Sequence, residues 1–565
     1  MKVVIIGGVA GGASAAARLR RLDEQAQIIM LERGPYISYA NCGLPYYVGG
    51  VITDQDDLTL QTPESFHARF HVDVRVLSEA VGIDKDAKTV TVKNLADGSV
   101  YQESYDALIL SPGAEPLVPP LPGVYDPRVF TLRTVPDTLR IRAFMDEKHP
   151  KTAVVVGGGA IGMEMAENLK EAGLDVTVVE LADHLIAPLD FDMAADVHGY
   201  VKSKGINLLL KTGVKGMTAD ENGLVVEAGE EKLPADMVLL SVGVKPESSL
   251  AKAAGLTVNP KGAILTDDHM RTSDPAIYAV GDAVLVKHFV TGQSTFLPLA
   301  GPANKQGRIA ADNICGIPST YKGSQGALVL KLFDMTVAAT GLNEASLKAA
   351  GIAYDKVYAY GNSHASYYPG ATNQTIKLLF SPLDGKVLGA QIVGFEGVDK
   401  RCDVINTAIR AGMTVYDLTE LELCYAPPFS SAKDPVNMAG FMAENLLTKK
   451  VKQFHWHDVK DLPKDGSITF LDVRTGGERR RGSIEGTVHI PVDELRDRMG
   501  ELDAGKPVYV HCHSGLRSYI ACRILTQNGF DAFNLAGGYR LYASVWAELE
   551  QPQTSTHPCG IPING

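Results

Sequence analysis

The strongest constraint on this chain is a pattern that occurs twice. Lys2 to Ile6 is a short β-branched strand that runs into Gly7-Gly8-Val9-Ala10-Gly11-Gly12, an alanine-rich helix to about Leu22, and a second strand, Gln27 to Glu32. Thr152 to Val156 runs into Gly157-Gly158-Gly159-Ala160-Ile161-Gly162, a helix through Ala172, and the strand Val176 to Glu180. Strand, crossover helix and second strand in that order give parallel pairing, so both stretches are read as Rossmann-like βαβ units. Glycines at the strand-to-helix turn allow a pyrophosphate to approach the backbone and rest on the helix N-terminus. Two dinucleotide sites in one chain are therefore expected.

In the second unit Gly157, Gly159 and Gly162 match G-x-G-x-x-G in full. Glu180 ends the next strand, where a carboxylate accepts both ribose hydroxyls and repels a 2′-phosphate, so NADH is expected over NADPH. The first unit departs at one place, with Val9 where the middle glycine belongs. By itself that turn is a weak signal, with a glycine-rich strand-to-helix connection without a ligand as the lesser alternative.

At 565 residues the chain exceeds one core, and three to four domains are expected. A formal charge of -12 leaves no global basic surface, which argues against nucleic acid as a partner. The seven cysteines stand at 42, 315, 402, 424, 512, 522 and 559, without metal-ligand spacing, so neither a metal site nor a disulfide scaffold is expected. No apolar run reaches membrane-spanning length, and the N-terminal one is too short for a signal segment; no membrane partner and a cytoplasmic location are the resulting expectations. Residues 326–447 mix alternating strands, Lys331 to Ala338 and Thr375 to Phe380, with helices. A basic polar stretch after Leu447 marks a linker, and a new αβ pattern starts near Trp456.

Two further segments, Tyr105 to Ala114 and Ile277 to Ala283, are strands followed by turns. With the two glycine units, in this order, they resemble the pyridine-nucleotide disulfide oxidoreductases over residues 1 to about 447. The resemblance implies FAD on the first unit and NADH on the second, with Gly7, Gly12, Glu32 and Asp282 contacting FAD and Gly157, Gly159, Gly162 and Glu180 contacting NADH. It implies an FAD-binding domain at 1–112 and 250–325, an NADH-binding domain at 113–249, an α+β dimerisation domain at 326–447, a linker at 448–455 and a tail at 551–565.

Most reductases of that family carry two cysteines four residues apart beside the flavin, but Cys42 is followed by Gly43-Leu44-Pro45-Tyr46-Tyr47. Ser38 to Gly50 resembles the coenzyme A-disulfide reductases, in which a single cysteine forms a mixed disulfide with coenzyme A; related NADH oxidases and peroxidases cycle one cysteine through a sulfenic acid. A free cysteine is otherwise a small buried hydrophobe. Coenzyme A needs cationic donors for its phosphates. Arg18 and Arg21 share a helix face, and with Ser38, Asn41, Asn304 and Arg308 they resemble the substrate set; a lysine found in relatives is Phe70 here, leaving Arg69 or His71 as substitutes. Tyr367 and Tyr425 resemble the tyrosines that reach the cysteine of the other subunit, which implies a homodimer with shared sites. Taken alone, each is an amphipathic packing residue.

Residues 456–550 resemble a rhodanese α/β domain through Phe470 to Arg474, Gly486 to Pro491 and His511-Cys512-His513-Ser514-Gly515-Leu516-Arg517-Ser518. Cys512 ends a strand and opens a loop whose amides form an anion nest, with Arg517 closing it. Four residues separate Cys512 from Arg517, one fewer than in tyrosine phosphatases, which suits a terminal sulfur better than a phosphate. Leu535 to Tyr539 fits the family's closing turn, Cys522 is expected in the core, and Cys559 receives no role.

The whole pattern resembles fusions of a coenzyme A-disulfide reductase with a rhodanese domain. It implies an NADH-dependent flavoprotein oxidoreductase that reduces a persulfide or polysulfide, coenzyme A persulfide included, and releases hydrosulfide, with Cys42 as nucleophile and Cys512 relaying sulfane sulfur. The alternatives are a coenzyme A-disulfide reductase for thiol homeostasis, an NADH oxidase or peroxidase, and a redox-sensing binding protein.

Overall fold

The computed structural model describes residues 1–220 and 223–550, so the expected tail with Cys559 lies outside the described residues. The chain divides into two compact units, one of residues 1–181 and 209–326, the other of residues 182–208 and 327 onward.

The first unit holds both glycine turns. Strand Lys2–Ile6 pairs in parallel with Gln27–Leu31 on one side and Ala107–Leu110 on the other, and Ile277–Ala279 and Asp73–Arg75 extend the sheet at its two edges. Val3, Val4, Ile5, Ile29 and Ile109 are wholly buried, as a parallel sheet covered on both faces requires. Strand Thr152–Val156 repeats the arrangement between Asp175–Val179 and Met237–Leu240. The turns are anchored alike: the Gly7 amide donates to Leu31 O at 2.8 Å and the Gly157 amide to Val179 O at 2.9 Å. Both glycines are left-handed, with φ of 98° and 109°. A Cβ on Gly12 would lie 1.9 Å from Gly7 O, and one on Gly162 would lie 2.0 Å from Gly157 O. Val9 is accommodated because its φ is -102°, open to any residue. The substitution leaves the turn intact.

In the second unit the α+β part is an antiparallel sheet in the order Leu328–Leu332, Met335–Gly341, Val387–Gly394, Asn373–Phe380, Asp355–Asn362. The single strand expected from Lys331 to Ala338 is instead a hairpin, with Phe333 left-handed at its tip (φ 54°). The C-terminal part is a parallel sheet in the order Lys452–Phe454, Ala532–Leu535, Val508–His511, Thr469–Asp472, Val488–His489. Its edge strand Lys452–Phe454 falls within the stretch expected as a linker; Phe454 is buried against Leu535, a contact that polar composition concealed.

Segment 182–208, expected within 113–249, clusters with the second unit. Its helix Phe191–Ser203 explains why. Asp192 accepts from Lys377 at 2.7 Å, Asp196 from the Ser544 hydroxyl at 2.6 Å, and Lys202 meets Glu548 at 2.8 Å.

Candidate functional site

The first helix, Ala10–Leu22, packs on the helix Ala300–Ile314 at very short range, because a Cβ on Gly307 would lie 2.3 Å from Gly11 O. That approach brings Arg18, Arg21, Ser38, Asn304 and Arg308 around one cavity of about 340 Å³. Five of the six residues expected to bind coenzyme A are thus gathered, and Asn41 does not line the cavity. Neither Arg69 nor His71 lines it; Ser14 and Phe66 do, and sequence reasoning missed both. Ser14 donates to Asn304 Oδ1 at 2.7 Å, and Arg18 pairs with Asp312 at 2.7 Å. Arg21 and Arg308 are exposed and form no ion pair with the described residues, so their charge is available to a phosphate. Ser38 is left-handed (φ 44°), held by its amide on Gly8 O at 2.8 Å.

The two strand-end carboxylates occupy matching places. Glu32 accepts from the amides of Gly8 at 3.0 Å and Gly34 at 2.8 Å, and Glu180 accepts from Gly158 at 2.6 Å. A Cβ on Gly159 would meet nothing within 4 Å, so the backbone there is open to close approach, as a bound pyrophosphate needs. Asp282 lies in the short turn Gly281–Ala283 and pairs with Arg133 at 2.7 Å, while Gln306 accepts from the Gly281 amide at 2.7 Å. These residues fit FAD on the first turn and NADH on the second.

Cys42 sits in the helical turn Asn41–Gly43, which runs directly into the helix Leu44–Val48. It is exposed as a residue, yet the protein packed around its sulfur desolvates it. Desolvation and then the Glu164 carboxylate push the thiol up; Arg133 opposes them. Glu164, which sequence reasoning missed, is itself pushed up to about 7 by burial and by Glu167. Its Oε1 lies 3.5 Å from the Tyr46 hydroxyl.

In the second unit Tyr367 and Tyr425 are brought together, hydroxyl to hydroxyl at 2.8 Å. They are 74% and 48% exposed, and Phe429, four residues after Tyr425 in the chain, is 69% exposed, more aromatic surface than a covered packing role explains.

Cys512 follows the buried strand Val508–His511 and is itself fully buried. The Gly515 amide points at its sulfur from 3.1 Å and the Ser518 hydroxyl from 3.3 Å. The Tyr539 amide of the closing turn donates to Cys512 O at 2.8 Å. Arg517 makes two bonds to Glu478, a partner 39 residues upstream with no motif to mark it. Cys522 lies in the core beneath, at 1% exposure, as expected.

Among the described residues, one acidic group has the spacing of a metal site: Asp190, Asp192 and Glu344. The Lys377 ammonium fills it, 2.9, 2.7 and 2.5 Å from the three carboxylates. No helix among the described residues is long and apolar enough to cross a membrane.

Known proteins match along the whole chain. The profile of the pyridine nucleotide-disulphide oxidoreductases matches residues 1–307, that of their dimerisation domain residues 329–435, and that of rhodanese-like domains residues 455–544. An NADH oxidase of Methanocaldococcus jannaschii is 37% identical over 80% of this chain and 99% of its own length, and a coenzyme A disulfide reductase of Staphylococcus haemolyticus is 34% identical over 79% and 100%. The reduced CoADR-RHD of Bacillus anthracis superposes with a TM-score of 0.95 at 52% identity, covering 97% of this chain and 98% of that one. A NAD-dependent persulfide reductase from A. fulgidus superposes with a TM-score of 0.90 at 38% identity, covering 97% and 100%. The chain is an oxidoreductase that belongs to the pyridine nucleotide-disulphide oxidoreductase family and carries a rhodanese-like domain after its dimerisation domain.

Proposed function

We propose that the protein is an NADH-dependent persulfide or polysulfide reductase that acts on coenzyme A-linked sulfane sulfur and releases hydrosulfide. The observation that carries this is the pairing, in one chain, of a lone thiol at Cys42 with a sulfur-sized loop around Cys512. FAD, held by the first glycine turn, supplies the two-electron relay between NADH and a disulfide.

The residues of the chain do the rest. Glu180 receives the adenosine ribose of NADH and disfavours a 2′-phosphate. Arg21 and Arg308 bind the phosphates of coenzyme A, while Arg18, Ser38, Asn41 and Asn304 shape its path toward Cys42. Cys42 attacks the coenzyme A sulfur, forming the mixed disulfide as hydrosulfide leaves with the electron pair. Cys512 carries sulfane sulfur as a persulfide in the Gly515 and Ser518 loop, with Arg517 holding its charge. The exposed aromatic group of Tyr367, Tyr425 and Phe429 supports a homodimer in which each protomer offers its tyrosine pair to the other's Cys42, stabilising a departing thiolate. A small-molecule substrate and a cytoplasmic location complete this reading.

The first test is stoichiometry. With coenzyme A persulfide the wild type is expected to release one hydrosulfide per NADH, and Cys42→Ser none; hydrosulfide release at the parental rate by Cys42→Ser would refute it. The similarity to an NADH oxidase favours one second reading, oxygen reduction at Cys42, which predicts that oxygen alone sustains full NADH turnover.

A further inference from the structure

The helix Ala160–Glu171 starts at the second glycine turn and carries Glu164, Glu167 and Asn168 at helical spacing. It packs on the short helix Leu44–Val48. The approach is close: a Cβ on Gly49 would lie 2.2 Å from Asn168 Oδ1. The 3-10 turn Asn41–Gly43 runs straight into the helix Leu44–Val48, so Cys42 stands four residues before Tyr46, near enough for its charge to act on the Tyr46 hydroxyl. The Tyr46 hydroxyl reaches to 3.5 Å from Glu164 Oε1. One phenol therefore leads from the turn of the redox thiol to a half-buried carboxyl.

We propose that Cys42 and Glu164 hold one proton between them, joined by the Tyr46 hydroxyl, and that Glu164 receives the thiol proton when Cys42 becomes a nucleophile. The identity of the leaving group rests on the persulfide reading; the proton pair does not. Cys42 gives its proton to the Tyr46 oxygen as Tyr46 passes its own to Glu164 Oε1. One S–H bond breaks, one carboxyl O–H bond forms, and the net charge of the three groups stays at minus one. The Cys42 sulfur then bonds to the coenzyme A sulfur as the sulfur–sulfur bond breaks, and the proton returns through Tyr46 to the departing hydrosulfide.

Physical chemistry supports each part. Two neighbouring negative charges in a desolvated place do not both form cheaply, so such a pair titrates as a unit. Burial and Glu167 bring Glu164 to about 7, where it both accepts from a thiol and donates to hydrosulfide. Tyr46 is pushed up to about 12 by burial and by Glu164, so it stays a phenol and relays without being lost. Asp282 and Arg133 also act on the thiol, in opposite directions, and Arg142, which donates to Val48 O at 3.2 Å, faces the same short helix from a third side.

The test is anaerobic alkylation of Cys42 by iodoacetamide in the FAD-loaded, thiol-reduced protein, read by peptide mass spectrometry across pH. Glu164→Gln is expected to lower the midpoint of the rate profile by about one unit, alkylating Cys42 about tenfold faster near neutrality. Glu164→Asp is expected to keep the parental midpoint. Loosened packing would raise the rate by one factor at every pH, whereas loss of the charge moves the midpoint. If Glu164→Gln fails to fold, Glu164→Ala must show the same shift. An unchanged midpoint in the folded neutral variant overturns the pair. The assay holds neither NADH nor sulfur substrate, so its failure leaves the persulfide reading standing, and failed persulfide turnover leaves the pair standing.

Discussion

Arg517 grips Glu478 through two N–H···O bonds of 2.7 and 2.6 Å, and the same carboxylate accepts from the Thr475 amide at 3.0 Å at the start of the helix Gly476–Arg480. The Arg517 bonds, with those from Thr475, hold the Glu478 carboxyl far below the usual carboxylate range. The guanidinium beside the sulfur loop is thereby aimed by a group outside it. Glu478→Ala is expected to slow sulfur transfer to cyanide by about tenfold to a hundredfold through misplacement of Arg517. Arg517→Lys is expected not to restore it, because a point charge cannot reproduce the two-pronged fit. Parental transfer rates in both variants would remove Arg517 from the site.

Lys377 is the keystone of a buried charge cluster, its ammonium fully enclosed by Asp190, Asp192 and Glu344. Lys377→Met leaves Asp190 and Asp192 without the ammonium that pairs them and Glu344 with Lys356 as its remaining close cation, and is expected to cost about 3–5 kcal/mol, seen as an earlier urea midpoint for the second unit. The cluster also sets an acid dependence. Burial pushes Asp192 and Glu344 up, but Lys377 and Lys356 outweigh it and leave both below their ordinary values. Groups with depressed folded values contribute fully above their unfolded values, near pH 4, and lose that contribution as pH falls through the folded values. Stability is expected to decline progressively below about pH 4, less steeply in Lys377→Met.

Arg21 and Arg308 face the cavity with uncommitted charge, whereas Arg18 is held by Asp312. Arg308→Ala is expected to raise KM for coenzyme A substrates by about tenfold or more with kcat little changed, as loss of uniform binding does. Arg18→Ala is expected to act partly through stability, because it leaves Asp312 unpaired at 6% exposure. Steady-state kinetics with thermal melts separates the two; a fall in kcat at constant KM for Arg308→Ala would place it elsewhere.

What could be read from the sequence is what local geometry enforces. Gly7 and Gly157 are required by left-handed backbone, and Gly12 and Gly162 by a neighbouring carbonyl, so both turns showed themselves as motifs. Val9 could replace a glycine because that position needs no positive φ. The coenzyme A set came from resemblance, and the close approach at Gly307 gathers most of it. Glu164 and Glu478 meet Tyr46 and Arg517 across 118 and 39 residues, and no periodicity encodes such pairings. Lys377 sits within a strand that alternation marks only as half-buried, and its partners come from other segments.

On the proposed reading, Cys512 and Cys42 divide the chemistry. Cys512→Ser is expected to spare kcat/KM for coenzyme A persulfide within about twofold and to impair elemental sulfur or long polysulfide by about tenfold or more. An equal large loss on both substrates would put Cys512 in an obligatory common step, and no loss on either would remove the loop from this reaction.

Sulfane sulfur is, on the proposed reading, the oxidant this enzyme is built to reduce. The most direct test of that reading is kcat/KM for NADH oxidation with coenzyme A persulfide, coenzyme A disulfide and oxygen, measured side by side on the FAD-loaded protein. Coenzyme A persulfide is expected to exceed both others by about tenfold or more, a difference of about 1.4 kcal/mol in transition-state stabilisation. A preference for coenzyme A disulfide or for oxygen would contradict it.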